Sequence, residues 1–567
     1  STCRAGDGAV SHPASDRKLL YGELVAKAAS LDVPQEPRLK DPADFTILGR
    51  PTLRLDTPDK VRGRAIFGLD FRLPGMVYAA VARPEIPGAS MRSFSDGRAS
   101  KVPGVKRVMQ VGPSVVVVGT NTWAALEGRR RLDVEWELGP NATLDTAGIE
   151  AQWRKAAEGT ALRAWEEGST VAAFKVAAKK LEADYELPFL AHAPMEPTNC
   201  TADVKPDRCE VWAPTQVPNS VRATAAEITG LPRDKVTVHV TLMGGAFGRR
   251  LMDDDAADAV RISKAIGGPV KVVFSREDEM RHDWYRPGSR HHLTAGLDDE
   301  GRLMAWTHRV VTPSIGAQQG YVPEGSLDEG AVSGAVGLPY AIPNIWVDFA
   351  MSNTPVPLGY WRSVYDSQTA FANECFLDEV AHAAGKDPLE LRRDLLKGSP
   401  RHLAVLNLAA EKAGWGSPLP KGRGRGLAVH YSFQSYVAHV AEVSVSGEGE
   451  IRVHKVVSAV DCGRALNPLT LKAQLEGGVV FGLSAVLFDA ITVEKGRVVQ
   501  GNFDDYPLLK MSQMPVVETW IVPSEESPTG AGEPPVPPLM PAVANAVFAA
   551  TGKRIRKLPL TPERVRA

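Results

Sequence analysis

The chain contains Val236-Thr237-Val238-His239-Val240-Thr241-Leu242, followed directly by Met243-Gly244-Gly245-Ala246-Phe247-Gly248-Arg249-Arg250. Apolar and polar residues alternate in the first part, which is the period of a half-buried β-strand. The second part is rich in glycine, and Asp253-Asp254-Asp255 then open a predicted helix that ends at Gly267. The stretch therefore predicts a strand, a glycine loop and a helix.

A glycine loop between a strand and a helix presents backbone N–H groups to an anionic ligand. This loop carries neither the Gly-Lys-Ser/Thr of a Walker A motif nor a G-x-G-x-x-G fingerprint. Two interpretations stay open from the pattern alone. The loop either cradles a phosphate or a cofactor, or forms a tight turn with a purely structural role.

A second glycine-rich stretch is Gly530-Ala531-Gly532-Glu533-Pro534-Pro535. Its glycines permit close backbone approach and its prolines stiffen the chain. The following run from Pro538 to Ala550 is predicted to form a buried helix. One carboxylate on a stiff loop with apolar backing is typical of a general base with a raised pKa. The alternative is a surface turn with a solvated Glu533.

The composition is that of an ordinary globular protein and excludes several classes of function. The 567 residues predict more than one domain, and the net charge of −1 gives no electrostatic case for nucleic acid. No run of 18 apolar residues predicts a membrane span. None of the five cysteines forms a Cys-x-x-Cys pair, so no iron–sulfur, zinc or haem spacing is present.

The remaining pattern predicts a succession of α+β units. Residues 1–58 are interpreted as a tail or linker containing one helix, Leu19 to Ala29, and residues 59–140 as a small unit dominated by strands. A helical connector (147–180) and a second linker (398–427) are predicted further on.

Residues 366–396 predict two helices, the first capped by Asp366 and the second by Asp387. Tyr360-Trp361-Arg362 precedes them and is either a surface cation–π pair or an anion clamp. A metal site at His282, His291 and His292 is considered and not favoured, because they lie in a charged stretch that becomes a strand.

Taken in order, these stretches resemble the molybdenum-binding large (beta) subunit of the xanthine oxidase / aldehyde oxidase family, isoquinoline 1-oxidoreductase type. No single motif is specific, but the six together are. The matching positions are Met243 to Gly248, Tyr340 to Ile345, Arg362 with Asn373 to Val380, Asp461 to Pro468, Gln474 to Gly477, and Gly532 to Pro535.

The resemblance implies an α+β fold: an α/β hammerhead domain followed by two molybdopterin-binding α+β lobes. The expected domains are 59–145 for the hammerhead, 146–400 for the first lobe, and 401–567 for the second lobe, which carries the catalytic Glu533. Residues 1–58 would be an N-terminal tail or linker that packs on a partner or on a missing segment.

The resemblance also assigns roles to individual residues. Glu533 would be the catalytic base, and molybdenum would be held by the pterin dithiolene rather than by protein ligands. The residues expected to contact the cofactor are Gly244, Gly245, Ala246, Phe247, Gly248, Arg362, Gln474 and Gly532.

The sequence departs from the family at the expected substrate pocket, formed by Leu190, Leu251, Ala331 and Val364. Leu251 and Ala331 stand where purine hydroxylases carry a Glu and an Arg, and Leu190 stands where a Gln is common. An apolar aldehyde or an N-heteroaromatic ring is therefore expected instead of a purine. The family's Met-Gly-Gln-Gly cofactor segment is absent from these residues.

The expected cofactor is molybdopterin with Mo, as a cytosine dinucleotide, and two electrons must leave in each turnover. The implied partners are a small subunit with [2Fe–2S] clusters, a chain supplying the Gly-Gln-Gly segment, and a cytochrome c subunit. The implied location is the bacterial periplasm rather than the cytoplasm. Two alternatives are a non-catalytic molybdopterin-binding scaffold and a nucleotide-binding enzyme, although the latter lacks a ribose-binding or magnesium motif.

Overall fold

The computed structural model describes residues 2–37 and 39–566. The chain divides into two compact units, the first extending to Arg50 and the second beginning at Pro51. None of the described helices is both long and apolar enough to cross a membrane.

Strands are distributed along the whole described chain. They are β1 Arg4–Gly6, β2 Ala9–His12, β3 Arg17–Leu20, β4 Val77–Ala82, β5 Ser90–Ser95, β6 Val105–Val111, β7 Ser114–Gly119, β8 Asp133–Glu137, β9 Leu162–Glu167, β10 Lys179–Leu187, β11 Asn199–Val204, β12 Cys209–Ala213, β13 Val236–Val240, β14 Val270–Val273, β15 Ser289–Leu297, β16 Leu303–Thr312, β17 Ile345–Met351, β18 Arg423–Ser432, β19 Ser435–Val445, β20 Ile451–Asp461, β21 Val493–Glu494, β22 Arg497–Val498 and β23 Val516–Ile521.

Helices alternate with these strands. They are α1 Tyr21–Ala28, α2 Thr57–Val61, α3 Thr122–Arg130, α4 Thr146–Glu158, α5 Thr170–Val176, α6 Pro218–Thr229, α7 Asp254–Ile266, α8 Arg276–Arg281, α9 Ile315–Gln318, α10 Asp366–Ala383, α11 Pro388–Leu395, α12 Pro400–Ala413, α13 Pro468–Leu487, α14 Leu539–Thr551 and α15 Pro562–Arg566. The mixture confirms the predicted α+β class.

The first unit has more structure than a linker. β1, β2 and β3 form an antiparallel sheet, and α1 follows β3. The predicted helix therefore exists but begins at Tyr21, because Leu19 and Leu20 belong to β3. Leu20 and Val25 remain exposed, so this unit buries little apolar surface of its own.

A seven-stranded sheet in the order β13-β12-β11-β14-β4-β7-β6 has β13 at one edge, and the glycine loop 243–248 follows that strand. β4, β6 and β7 lie before residue 145, and the other four strands lie after it. The sheet therefore crosses the boundary expected at 145, because β14 pairs in parallel with β4. α6 and α7 cover one apolar cluster of this sheet.

A five-stranded sheet in the order β10-β15-β16-β17-β9 forms the centre of the second unit. The helical connector predicted at 147–180 is wrong in part, because Leu162–Glu167 forms the edge strand β9 between α4 and α5. Pairing with β17 overrides the local helical preference of this segment.

A four-stranded sheet, β18-β19-β20-β23, holds the C-terminal part of the chain together. The linker predicted at 398–427 is wrong, because it contains α12 and the start of β18. The glycines that suggested a linker have a packing role. A Cβ on Gly424 would lie 2.4 Å from Ala546 O, and one on Gly426 would lie 2.1 Å from Ala546 N. Helix α14 therefore lies directly on the backbone of β18.

α10 runs through the core between these layers. It begins at Asp366. The sequence predicted that the Asp366 side chain caps this helix, and that prediction is wrong, because the side chain makes no capping hydrogen bond. The carboxylate accepts instead from Ser333 Oγ at 2.8 Å and contacts His430 Nε2 at 2.9 Å. The predicted cap of α11 is confirmed, since Asp387 Oδ1 accepts from Leu389 N at 2.8 Å.

Gly426→Ala should destabilise the protein by about 3 kcal/mol, since the added methyl group overlaps helix backbone that has no room to move. The check is the thermal or denaturant midpoint of unfolding. Gly447→Ala is the matched control, because no atom lies within 4 Å of a Cβ at Gly447. Equal midpoints for the two variants would show that α14 does not pack this closely.

Candidate functional site

The loop after β13 has the conformation its glycines suggested. Gly245 and Gly248 both have φ of +109°, and Phe247 has φ of +55°. A Cβ on Gly248 would lie 1.4 Å from Tyr360 O, so only glycine fits between the loop and that carbonyl. The loop therefore lies directly against the segment that leads to Arg362.

The backbone amides of this loop fall into two groups. Gly244 N donates to Glu196 Oε2 at 2.7 Å, so this predicted contact is already used within the protein. The amides of Gly245, Ala246, Phe247 and Gly248 donate to no group of the described chain. Four successive N–H groups of this half-buried loop thus have no partner among the described residues, and such groups are available to an anionic ligand.

Aromatic rings connect the loop to α13. The rings of Phe247 and Phe481 are 4.7 Å apart, and those of Trp361 and Phe481 are 4.4 Å apart. Phe481 was not predicted as a site residue. Its sequence signal was the Phe481-Gly482 pair, which repeats the Phe-Gly of the loop.

Arg362 joins three segments that are distant in sequence. Its Nε donates to Gly532 O at 2.7 Å, and its Nη2 donates to Gln474 Oε1 at 3.2 Å. Its Nη1 has no partner within the described chain. Burial lowers the pKa of Arg362 to about 10, so the guanidinium stays charged at neutral pH. The structure thus brings together Arg362, Gln474 and Gly532, and their contact with a cofactor stays a prediction.

Glu533 lies beside this cation on a half-buried loop. Ser363 N donates to Glu533 Oε1 at 3.3 Å, and Ser363 Oγ donates to Glu533 O at 2.8 Å. Burial raises the pKa of Glu533, and the charge of Asp366 adds to that effect, whereas Ser363 N–H and Arg362 oppose it. Ser363 was not predicted, and nothing in the sequence distinguished it.

A buried network of charged and polar side chains contacts the backbone of Tyr360, two residues before Arg362. His192 Nε2 lies 2.9 Å from Tyr360 O, and His192 Nδ1 lies 3.0 Å from Asp283 Oδ1. Asp283 Oδ1 is also 3.2 Å from Arg249 Nε. These residues hold Tyr360 in place, and sequence reasoning missed them because they come from distant segments.

A cavity of about 600 Å³ is lined by residues from segments 315–374 and 429–433. We call it the tyrosine cavity, after the residues that dominate its wall: Tyr321, Tyr340, Tyr360, Tyr365 and Tyr431. Val364 and Phe433 also line it, and Gly530 N donates to Phe433 O at 3.2 Å. Phe433 therefore both lines the cavity and contacts the carboxylate loop.

The four expected pocket residues do not all meet. Val364 lines the tyrosine cavity, whereas Leu190, Leu251 and Ala331 are not among its lining residues. Leu190 is buried and bridges to Arg286 in the core, and Ala331 is buried beside Gly330, which does line the cavity. Leu251 is half-buried at the end of the short helix Arg249–Leu251.

The donors present fit an anionic organic cofactor better than a protein-bound metal. Within the described residues no group of three or more His, Cys, Asp or Glu is placed to hold a metal ion. A Cβ on Gly477 or on Gly532 would have only one atom within 4 Å, the tip of Arg362 or of Gln474. Open space therefore lies in front of both glycines, next to a guanidinium with a free N–H.

Comparison with known proteins agrees with this geometry. The molybdopterin cofactor-binding domain family matches residues 154–396, and a second family of the same description matches residues 377–515. The chain therefore binds a molybdopterin cofactor.

The isoquinoline 1-oxidoreductase subunit beta of Brevundimonas diminuta is 32% identical, over 98% of this chain and 78% of that protein. A membrane-bound aldehyde dehydrogenase (pyrroloquinoline-quinone) of Gluconacetobacter polyoxogenes is 31% identical, over 99% and 78% respectively.

The solved structure of quinoline 2-oxidoreductase from Pseudomonas putida 86 has the same fold. It superposes with a TM-score of 0.78 at 17% identity, over 92% of this chain and 98% of that one. Fold, cofactor-binding domains and sequence identity lead to one conclusion: the chain belongs to the xanthine oxidase / aldehyde oxidase family, as a molybdopterin-dependent oxidoreductase large subunit of the isoquinoline 1-oxidoreductase type.

Proposed function

We propose that this chain is the catalytic subunit of a hydroxylase that inserts a water-derived oxygen into an aldehyde or an N-heteroaromatic ring. The two electrons released would pass to an iron–sulfur partner. One observation carries the proposal. Arg362 ties Gln474 and Gly532 together beside a carboxylate, Glu533, whose pKa is raised, and Asp366, whose charge contributes to that shift, lines a large cavity.

The cofactor would be held by groups that have unused hydrogen-bonding capacity. The amides of Gly245 to Gly248 and Arg362 Nη1 supply donors, and Gln474 and the faces of Gly477 and Gly532 line open space. When bound, the molybdenum centre supplies the Lewis acidity and the two-electron redox chemistry that no side chain offers.

Glu533 would accept a proton at its carboxylate. Ser363 N–H fixes the direction of Oε1, and Ser363 Oγ fixes the backbone of the same residue. Burial raises the pKa of Glu533, which makes its carboxylate a stronger base than a solvated one.

The substrate class follows from uncharged residues at the expected pocket positions. Leu251 and Ala331, which do not line the tyrosine cavity, stand at the two positions where purine hydroxylases carry a carboxylate and a guanidinium. The names of the relatives, an isoquinoline oxidoreductase and an aldehyde dehydrogenase, support an apolar aldehyde or a bicyclic N-heteroaromatic substrate.

The large subunits that this chain is similar to work in multi-subunit complexes. We expect a small [2Fe–2S] subunit, a polypeptide with a Gly-Gln-Gly loop near the cofactor, and a cytochrome c subunit as the acceptor. Exposed apolar side chains at Leu20, Val25 and Leu55 support such packing on residues 1–58. The cytosine dinucleotide form and the bacterial periplasmic location rest on the family resemblance alone.

A non-catalytic scaffold that binds the pterin without turnover is the competing function. The retained Glu533, oriented by Ser363, speaks against it, because a scaffold needs no oriented carboxylate beside the cavity.

The purified complex should contain molybdenum and extractable pterin, and should oxidise an aldehyde or quinoline with an artificial electron acceptor. The Glu533→Gln complex should keep its molybdenum and its pterin. Its kcat should fall by about 10²–10⁴-fold, because the general base is lost. Metal analysis and steady-state kinetics provide the check. A molybdenum-loaded complex without turnover would favour the scaffold, and a fully active Glu533→Gln would remove the carboxylate from the mechanism.

The pH dependence of kcat should report Glu533. The carboxylate must be ionised to accept a proton, and its pKa is raised above the ordinary value of about 4.3. The rate should therefore fall as pH drops through the raised pKa. Asp366→Asn removes a charge that raises this pKa, so the acid limb should move to lower pH. Asp504→Asn, at an exposed position away from the cavity, should leave the limb in place.

A further inference from the structure

The wall of the tyrosine cavity is acidic. Asp328, Asp366 and Glu374 line it as buried residues, and Glu329 lines it as an exposed residue. Of the described residues that form this wall, none is a lysine or an arginine. The cavity is therefore unlike a site built to receive an anion.

Only one of the buried carboxylates has its charge balanced by a strong cation. Glu374 pairs with Arg392 at 3.0 Å, and both side chains are almost completely buried. Glu374 also accepts from Tyr340 OH and from Val429 N. This residue is a structural ion pair and contributes little net charge to the cavity.

Asp328 has no cationic partner within the described chain, and Asp366 pairs only with His430, which also lines the cavity. Asp328 accepts from Ser314 Oγ at 2.5 Å and from Gly330 N at 3.0 Å. Asp366 accepts from Ser333 Oγ at 2.8 Å, and its other contact is His430 at 2.9 Å. Neither carboxylate forms an ion pair with a lysine or an arginine within the described chain. Carboxylate charge in a site partly shielded from water acts strongly on a ligand.

One arginine lies in the segment next to the cavity wall. Arg362 belongs to the neighbouring segment but does not line the cavity, and its Nε and Nη2 are used by Gly532 and Gln474. The tyrosines add aromatic faces, which attract flat rings and cations alike. Tyr321 OH and Tyr360 OH lie 2.5 Å apart, so these two side chains hold each other at one wall.

We infer that the tyrosine cavity selects its substrate by charge. It accepts a planar aromatic ring that is uncharged or cationic, and it rejects the same ring when it carries a carboxylate. The inference rests on the proposed function in so far as the occupant is the molecule that is oxidised. Like-charge juxtaposition, with no arginine to reverse it, is the physical basis of the rejection.

Binding to the molybdenum-loaded complex tests the selection directly. The probes are quinoline-4-carboxamide, its N-methylated cation and quinoline-4-carboxylate, which share one ring and differ in charge. Isothermal titration should give a Kd for the carboxylate at least about tenfold weaker than for the carboxamide. The cation should bind at least as tightly as the carboxamide.

Substitutions of Glu329, an exposed residue that lines the cavity, test whether the charge of the wall or its shape decides which ring is accepted. Glu329→Gln and Glu329→Lys change the charge in two steps at an exposed position, where the fold tolerates both. The ratio of kcat/KM for the carboxylate to that for the carboxamide should rise at each step, by about threefold or more. Glu448→Lys is the control, because it makes the same charge change at an exposed hairpin far from the cavity wall.

Each outcome decides one of the two claims. A carboxylate that binds as tightly as the carboxamide, or a ratio that does not change across the Glu329 series, overturns charge selection. A loaded complex that turns over neither rings nor aldehydes overturns the proposed function, and the three Kd values still decide charge selection. If none of the three rings binds, the cavity is not the ring-binding site and the inference is wrong.

Discussion

The site depends on the contact between α14 and β18. Gly424 and Gly426 leave no side chain between the strand and the helix, so the two backbones lie against each other. The Glu533 loop leads directly into α14, and its Val536 N donates to Glu533 O at 3.0 Å. Once the helix lies on the strand, the carboxylate can occupy only a narrow range of positions. A general base needs that restriction.

Arg362 connects the Glu533 loop to the residues that are expected to contact the cofactor. It bonds to the backbone of the Glu533 loop and to Gln474 of α13, and it stands 5.8 Å from the ring of Phe481. Phe481 in turn stacks near Phe247 of the glycine loop. Three segments that are far apart in sequence are therefore positioned by one guanidinium and one ring.

The groups of the site fall into two sets of opposite polarity. Backbone amides of the glycine loop and Arg362 Nη1 have no partner in the described chain and suit a multiply charged anionic cofactor. Asp328 and Asp366 instead line the tyrosine cavity. We infer that the cofactor and an uncharged or cationic substrate would be held by different sets of groups.

The sequence alone determined the local elements and the residues of the site that lie within short motifs. Alternation in β13, the glycines at 244–248 and the stiff loop around Glu533 follow from side-chain period and backbone freedom, which act over a few residues. Only the tertiary structure decided that residues 398–427 are packed and that His192 supports Tyr360. It also joined Ser363 to Glu533, because such contacts link segments whose spacing no local pattern encodes.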